Sequence, residues 1–233
     1  MTSVDVDHQL DARFIVDSDH REDTFIVPLP TTWWSRPYEY AWCSQFAGEQ
    51  DVVLDAACGI SHPFKFYLAS CSVREVHACD LDVRILSREE IYADAVRDFG
   101  EHAANRLRQH TDWSRLHLAY ASITSMPYAD NYFDTIFCIS VLEHLSELDQ
   151  RLALKEFHRL LKPGGKLVLT FDYPTVNLEQ LTAQVQQAGL VFPASFNMNL
   201  PPDAISSELW GTLYCFRALL YKISVPMEHI LGS

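Results

Sequence analysis

Asp55, Asp80 and Ser140 each follow an apolar run: Val52 to Leu54, Glu75 to Cys79, and Thr135 to Ile139. A carboxylate or hydroxyl placed there projects from a strand's end and can bond hydroxyls or an ammonium group. Asp55 leads into Ala56, Ala57, Cys58, Gly59, Ile60 and Ser61, a turn of mostly small residues that lets a ligand approach the backbone. His62 stands where a helix begins. Glu143 and His144 follow Ser140 and are the candidate catalytic pair. Histidine is the side chain whose unperturbed pKa lies near neutrality, which makes His144 a candidate general base. The competing reading, which we prefer, makes it a pocket-lining residue at a helix start. Upstream, Thr31 to Trp42 (TTWWSRPYEYAW) sets five aromatics beside Arg36. Aromatic faces attract a cation, and Arg36 suits a carboxylate.

The elements that would position these groups alternate. Strands are expected at Val52 to Asp55, Glu75 to Asp80, Leu116 to Tyr120, Thr135 to Ser140 and Lys166 to Phe171. A helix is predicted from Ile91 to Arg108, where Ile91, Ala95, Val96, Phe99, Ala103 and Leu107 share an apolar face. Another starts at Ser146, which forms a capping box with Asp149, and stops at Lys162-Pro163-Gly164-Gly165. A third runs from Asn177 to Gly189. The alternation predicts an α/β chain with a Rossmann-like doubly wound sheet, mostly parallel, closed by a C-terminal antiparallel hairpin from Phe192 to Met198 and Leu213 to Ile223. Such sheets bind ligands at the carboxyl ends of their strands, at the switch point. We read residues 1–233 as one domain. Residues 1–48 are a cap segment, 49–190 the cofactor-binding core, and 191–233 the hairpin and substrate loop.

The turn after the first strand resembles D-x-G-x-G-x-G, the first motif of class I S-adenosylmethionine (SAM) methyltransferases. Asp55 and Gly59 match, and Ala57 and Ser61 stand at glycine positions. The stretch from Ala121 to Leu145, ASITSMPYADNYFDTIFCISVLEHL, resembles the family's G-D-A-x-x-L-P-F-x-D-x-S-F-D-x-V and V-L-E-H-L. Leu160 to Phe171 resembles its helix–turn–strand. The chain is identified as a methyltransferase-11-like member over roughly Val52 to Phe171. The resemblance implies that SAM is held by Arg36, Asp55, Ala57, Cys58, Gly59, Ser61, His62, Asp80, Leu81, Ser122, Ile123, Ile139 and Ser140. Asp80 would take the ribose hydroxyls, with Asp82 as its competitor. Ser122 would meet the adenine amino group in place of the usual Asp, and a backbone N–H at Ile123 the adenine ring. Tyr38 or Tyr40 joins Arg36 as a candidate pocket residue, while Trp33, Trp34 and Trp42 are expected to dock the cap on the sheet.

The expected activity is methyl transfer to a nitrogen or oxygen of a small molecule, selected by the cap and the loop from Asn197 to Gly211. The rival is a SAM-binding regulatory or assembly protein without transfer. A NAD-dependent dehydrogenase would need G-x-G-x-x-G where this chain has A-A-C-G-I-S. Lys plus Arg number 18 against 31 Asp plus Glu, a net charge of −13, which opposes a nucleic-acid partner. No apolar run approaches the ~20 residues of a membrane helix, and MTSVDVDHQLDARF lacks a signal-peptide core. A cytoplasmic enzyme is expected. Six cysteines without a C-x-x-C pair and no His/Cys/Asp/Glu cluster leave no metal site. The long link from Asp80 to Ser122 is expected to be a solvated helix, with a lid or homodimer surface as the alternative.

Overall fold

The computed structural model describes residues 9–209 and 211–223. Eleven strands are present: β1 (Arg13–Phe14), β2 (Thr24–Phe25), β3 (Val27–Pro28), β4 (Val52–Ala56), β5 (Glu75–Asp80), β6 (Leu116–Tyr120), β7 (Phe133–Ile139), β8 (Leu161–Tyr173), β9 (Leu190–Val191), β10 (Ser206–Ser207) and β11 (Leu213–Lys222). The helices described with them are α1 (Arg36–Cys43), α2 (Phe64–Ser70), α3 (Arg88–Phe99), α4 (Glu101–His110), α5 (Glu147–Leu160) and α6 (Leu178–Gln187).

The main sheet runs β1-β11-β8-β7-β4-β5-β6. From β6 to β8 all neighbours are parallel. β4 lies central: the chain winds outward through β5 and β6, then returns to β7 on the other side of β4. That reversal is the switch point of a doubly wound sheet, and β4, β5 and β7 end there on Asp55-Ala56, Asp80 and Ile139.

Strand residues alternate between two apolar layers. Val52 and Leu54 pack with Leu154 and Phe157 of α5 and Leu181 of α6. Val53 packs with Tyr40 of α1, Phe64 of α2 and Leu107 of α4. The α5 start is as the sequence predicts, with Ser146 Oγ accepting from Asp149 N at 3.2 Å. Asn177 caps α6 likewise, accepting from Gln180 N.

Three boundaries differ from expectation. The predicted helix from Ile91 to Arg108 is two helices, because Gly100 sits at φ +81°, ψ 163° between α3 and α4. Apolar periodicity continues across the break, so only the glycine signals it. The expected turn at Pro163-Gly164-Gly165 lies inside β8. Pairing with β7 begins at Phe133↔Leu161, breaks at a bulge, and resumes at Thr135↔Lys166. The antiparallel edge is present, but Phe192 to Met198 lies outside it. β11 pairs instead with β8, Phe216 facing Phe171, and with the short β9 and β10. Phe192 and Phe196 serve as an aromatic cover, Phe196 lying 5.6 Å from Phe216 between ring centroids. Among the described residues no helix is long and apolar enough to cross a membrane.

Candidate active site at the carboxyl edge of the sheet

The turn after β4 is tightly held. Ala57 and Gly59 have φ of +54° and +63°, a region glycine occupies freely and alanine at some cost. Cys58 N donates to Cys79 O at 3.0 Å. Gly59 N donates to Asp80 Oδ2, and Asp82 N to Asp80 Oδ1, both at 2.9 Å. Beneath the turn lies Lys65, fully buried. Its ammonium donates to Gly59 O (2.7 Å), His62 O (2.9 Å) and Cys58 O (3.3 Å). Sequence reasoning missed Lys65, since a lone lysine in FKFYLAS reads as a solvated position.

Three adjoining cavities run along this edge. The first, about 370 Å³, is lined by Arg36, Tyr40, Asp55, Ala57, Cys58, Gly59, His62, Asp80, Ile139, Ser140 and His144 among others. The second, about 380 Å³, shares Ala57, Asp80 and Val141 with the first and adds Leu81, Ser122 and Ile123. The third, about 220 Å³, shares Arg36, His62, Ser140 and His144 with the first. It adds Trp33, Trp34, Glu143 and Asp172. The candidates named from sequence therefore gather in one trough, with Ser61 as the exception. Ser61 is buried, and its hydroxyl donates to the Asp98 carboxylate of α3 rather than facing a cavity. Asp82 also turns away, taking Arg84 Nε at 2.9 Å, so that of the two competing acids Asp80 is the one that lines the cavities. Ser122 Oγ lies 2.8 Å from Thr124 Oγ1 and accepts from Thr124 N.

The cap divides its aromatics. Trp42 docks as expected, donating to Gln9 O and lying under Arg217. Trp33 and Trp34 instead line the third cavity. Trp33 stacks on His62 at 4.3 Å, and His62 Nδ1 lies 3.1 Å from the Tyr40 hydroxyl. Burial, reinforced by Arg36 and Lys65, keeps His62 well below the usual histidine range. Tyr38 packs away with Ile15 and Ile205.

Glu39 is the second group the sequence hid. It is 0% exposed and fully bonded. Its Oε1 accepts from Ser140 Oγ at 2.6 Å and Thr170 Oγ1 at 2.5 Å. Its Oε2 accepts from Ser35 Oγ at 2.9 Å and from Arg36 Nη1. Arg36 Nη1 also donates to Ser140 Oγ. This cluster ties α1 to the ends of β7 and β8, which holds the cap over the trough.

Three carboxyls of the trough are held above their ordinary range. Burial pushes Asp55 up to about 7, with Lys65 opposing and Asp80 adding. Burial pushes Glu143 up to about 8, and Asp172 beside it adds to the rise. Asp172 is raised to about 6, again by burial, with Glu39 adding. Each of these groups binds its proton more tightly folded than unfolded, so its contribution to stability is lost as pH rises toward the folded pKa. The depressed histidines His62, His77 and His158 act oppositely, but only below about 6.5. Melting of the unliganded protein is therefore expected to move to lower temperature between about pH 6.5 and 8. Glu143→Gln should flatten that fall, and a wild-type melting temperature that rises across the window would contradict the assignment.

A methyltransferase-domain family profile matches residues 54–169, the span from β4 to within β8. "Methyltransferase GfsG" of Streptomyces halstedii is 30% identical over 117 residues, covering 50% of this chain and 36% of that protein. The "Ubiquinone/menaquinone biosynthesis C-methyltransferase UbiE" of Hahella chejuensis is 32% identical over 90 residues, 38% of this chain and 35% of that one. The aligned segment thus spans about a third of these relatives' length. The crystal structure of a TehB-like SAM-dependent methyltransferase from Corynebacterium glutamicum superposes with a TM-score of 0.52 at 18% identity, over 79% of this chain and 86% of that one. Sheet order, the bent turn and the acids at the switch point define a class I SAM-dependent methyltransferase fold. The chain belongs to that class, in its methyltransferase-11 family, and SAM is its expected cofactor.

The residues present fit such a ligand. Asp55 is 3% exposed and its charged form is disfavoured, a setting that a cation improves. Asp80→Ala is expected to weaken SAM binding about tenfold to a hundredfold, the worth of roughly 1.5–3 kcal/mol for hydrogen bonds to a charged group. The carboxylate also anchors Gly59 N, so a modest drop in melting temperature should accompany the loss. Unchanged SAM affinity by calorimetry would exclude Asp80 from the cofactor site.

Proposed function

We propose that this chain transfers a methyl group from SAM to a nitrogen or oxygen of a small molecule. The observation that carries the reading is the row of three cavities with shared walls. It begins at Ser122 and Ile123, passes Asp80 and Asp55, and reaches the adjoining cavity of Trp33, Glu143 and Asp172. Ser122 and Ile123 would flank the adenine, and Asp80 would accept the ribose hydroxyls. Gly59, Arg36, Asp55 and Ser140 would surround the methionine portion. The cofactor supplies an electrophilic methyl on a sulfonium. The protein's part is to hold the acceptor in line and exclude water, using the cap that Glu39 fastens down.

We also propose that the 233 residues act as one domain with the cap, core and C-terminal divisions given above, in the cytoplasm. All six cysteines are free thiols, which supports a reducing compartment. SAM titration by calorimetry, followed by methyl transfer to a panel of metabolites, tests the function. Binding without transfer to any nucleophile would favour the regulatory alternative.

His144 is exposed and lines two of the cavities, and among the described residues no hydrogen bond orients its ring. A positioned base normally has such a partner. His144→Ala is therefore expected to lower kcat by less than about tenfold, with a larger share of the effect in KM. A fall of ~10²–10⁴ in kcat at normal SAM affinity would instead mark it as a general base.

A further inference from the structure

The third cavity holds acidic groups that the protein leaves unanswered. Glu143 follows β7 in the short turn Leu142–His144. Both of its carboxylate oxygens are sealed from solvent without a hydrogen-bond partner, and so is Asp172 Oδ1. Both side chains line the same cavity. The neighbouring Glu39 shows how this interior treats an acid it needs for structure: it is bonded on every side. Arg36 is the cation at this cavity, and it is already paired with Glu39. An unpartnered buried carboxyl oxygen is costly, and three in one cavity, two on Glu143 and one on Asp172, call for a ligand. Among the described residues no three His, Cys, Asp or Glu side chains are grouped to hold a metal ion. Trp33 and Trp34 line the same cavity, and indole is the strongest of the side-chain faces for a cation.

We propose that the methyl acceptor is a primary or secondary amine, which enters this cavity as its ammonium ion and donates N–H bonds to Glu143 and Asp172 against the two tryptophans. The inference rests on the methyl-transfer reading above. A hydroxyl has one proton to donate and would leave the second acid unanswered, whereas an ammonium has two or three. The chemistry balances. The ammonium passes one proton to the carboxylate pair. The freed nitrogen lone pair forms the N–CH₃ bond as the S–CH₃ bond breaks, and that bonding pair stays on sulfur. The methylated product leaves as a cation, and the proton on the carboxyl pair goes to solvent. The elevated Glu143 and Asp172 suit this acceptance of a proton. They face Arg36 and Glu39 from α1, His62 from the first turn, and His144 beside them.

The test uses amines paired with hydroxyl counterparts: phenethylamine with 2-phenylethanol, and putrescine with 1,4-butanediol. Transfer from SAM and binding to the protein loaded with S-adenosylhomocysteine are both measured. We expect an amine of the panel to be methylated with kcat/KM about 100-fold or more above its hydroxyl partner. Glu143→Gln and Asp172→Asn, each nearly isosteric, should raise KM for that amine about tenfold or more while leaving SAM affinity near wild type and the protein folded. The inference is overturned if SAM binds normally and the hydroxyl compounds are methylated as well as the amines. It is equally overturned if an enolate carbon is the preferred acceptor, if no panel amine binds or reacts, or if both variants leave the amine KM unmoved. Failure of SAM to bind would overturn the methyl-transfer reading itself.

Discussion

Replacing Glu39 by alanine is expected to cost about 3–5 kcal/mol of stability, the usual penalty for removing one partner of a buried ion pair. The side chain is 0% exposed, so its partners are bonded to it rather than to bulk water. The Arg36 guanidinium would lose its counter-charge, and the hydroxyls of Ser35, Ser140 and Thr170 would lose their acceptor. Against a total stability of roughly 5–15 kcal/mol, that is a large fraction, readable as a shift in the urea midpoint. Glu39→Gln, which keeps the shape and one acceptor oxygen, should cost less. The charge also carries a pH signature. Arg36 and the hydroxyls of Ser140 and Thr170 hold Glu39 below the ordinary range despite its burial, so its stabilisation is present above the unfolded value near 4.3 and is lost as pH falls below it. A loss under about 1 kcal/mol for Glu39→Ala would show that the cluster is not the fastening described here.

Gly59→Ala is expected to damage cofactor binding more than stability. The residue has φ +63°, and a Cβ there would lie 2.8 Å from His62 Cδ2. His62 has little room to yield, being stacked on Trp33 and placed against the Tyr40 hydroxyl. The left-handed conformation alone costs roughly 1–2 kcal/mol with a side chain, and the clash adds to it by shifting the turn. Since the turn lines the first cavity and its amide is bonded to Asp80, SAM affinity should drop about tenfold or more. Wild-type affinity in this variant, measured by calorimetry, would mean that the turn does not contact the cofactor.

The parallel core was legible because its strands are written locally. VVLD and EVHACD are apolar runs, each closed by an acid, and the capping residues Ser146 and Asn177 announce their helices within four positions. What stayed hidden depends on distant partners. Glu39 lies among aromatics, where an acid reads as the helix's wet face. It is inside only because Ser140 and Thr170 arrive from strands more than 100 residues later. Lys65 is concealed in the same way, its partners being carbonyls of a turn whose shape no pattern of residue types specifies. Asp172 is hidden because the apolar run that marks the fifth strand stops at Phe171, while the antiparallel pairing of Cys215 with Asp172 carries β8 further. Trp33 and Trp34 look like docking residues in the sequence since apolar character alone does not separate a wall from an anchor.

The family match ends at residues 54 and 169. Trp33, Trp34, Arg36, Glu39 and Asp172 all stand outside it, whereas Asp55, Gly59, Asp80 and Ser122 stand within. The third cavity is thus walled from both sides of the boundary, Glu143 within it and Trp33, Trp34 and Asp172 beyond it. Thr170 lies just past the boundary and Ser140 inside it, and through Glu39 they form a seam that joins the two parts. Exchanging residues 32–39 between relatives should therefore transplant acceptor preference only when Ser140, Glu143, Thr170 and Asp172 travel with them.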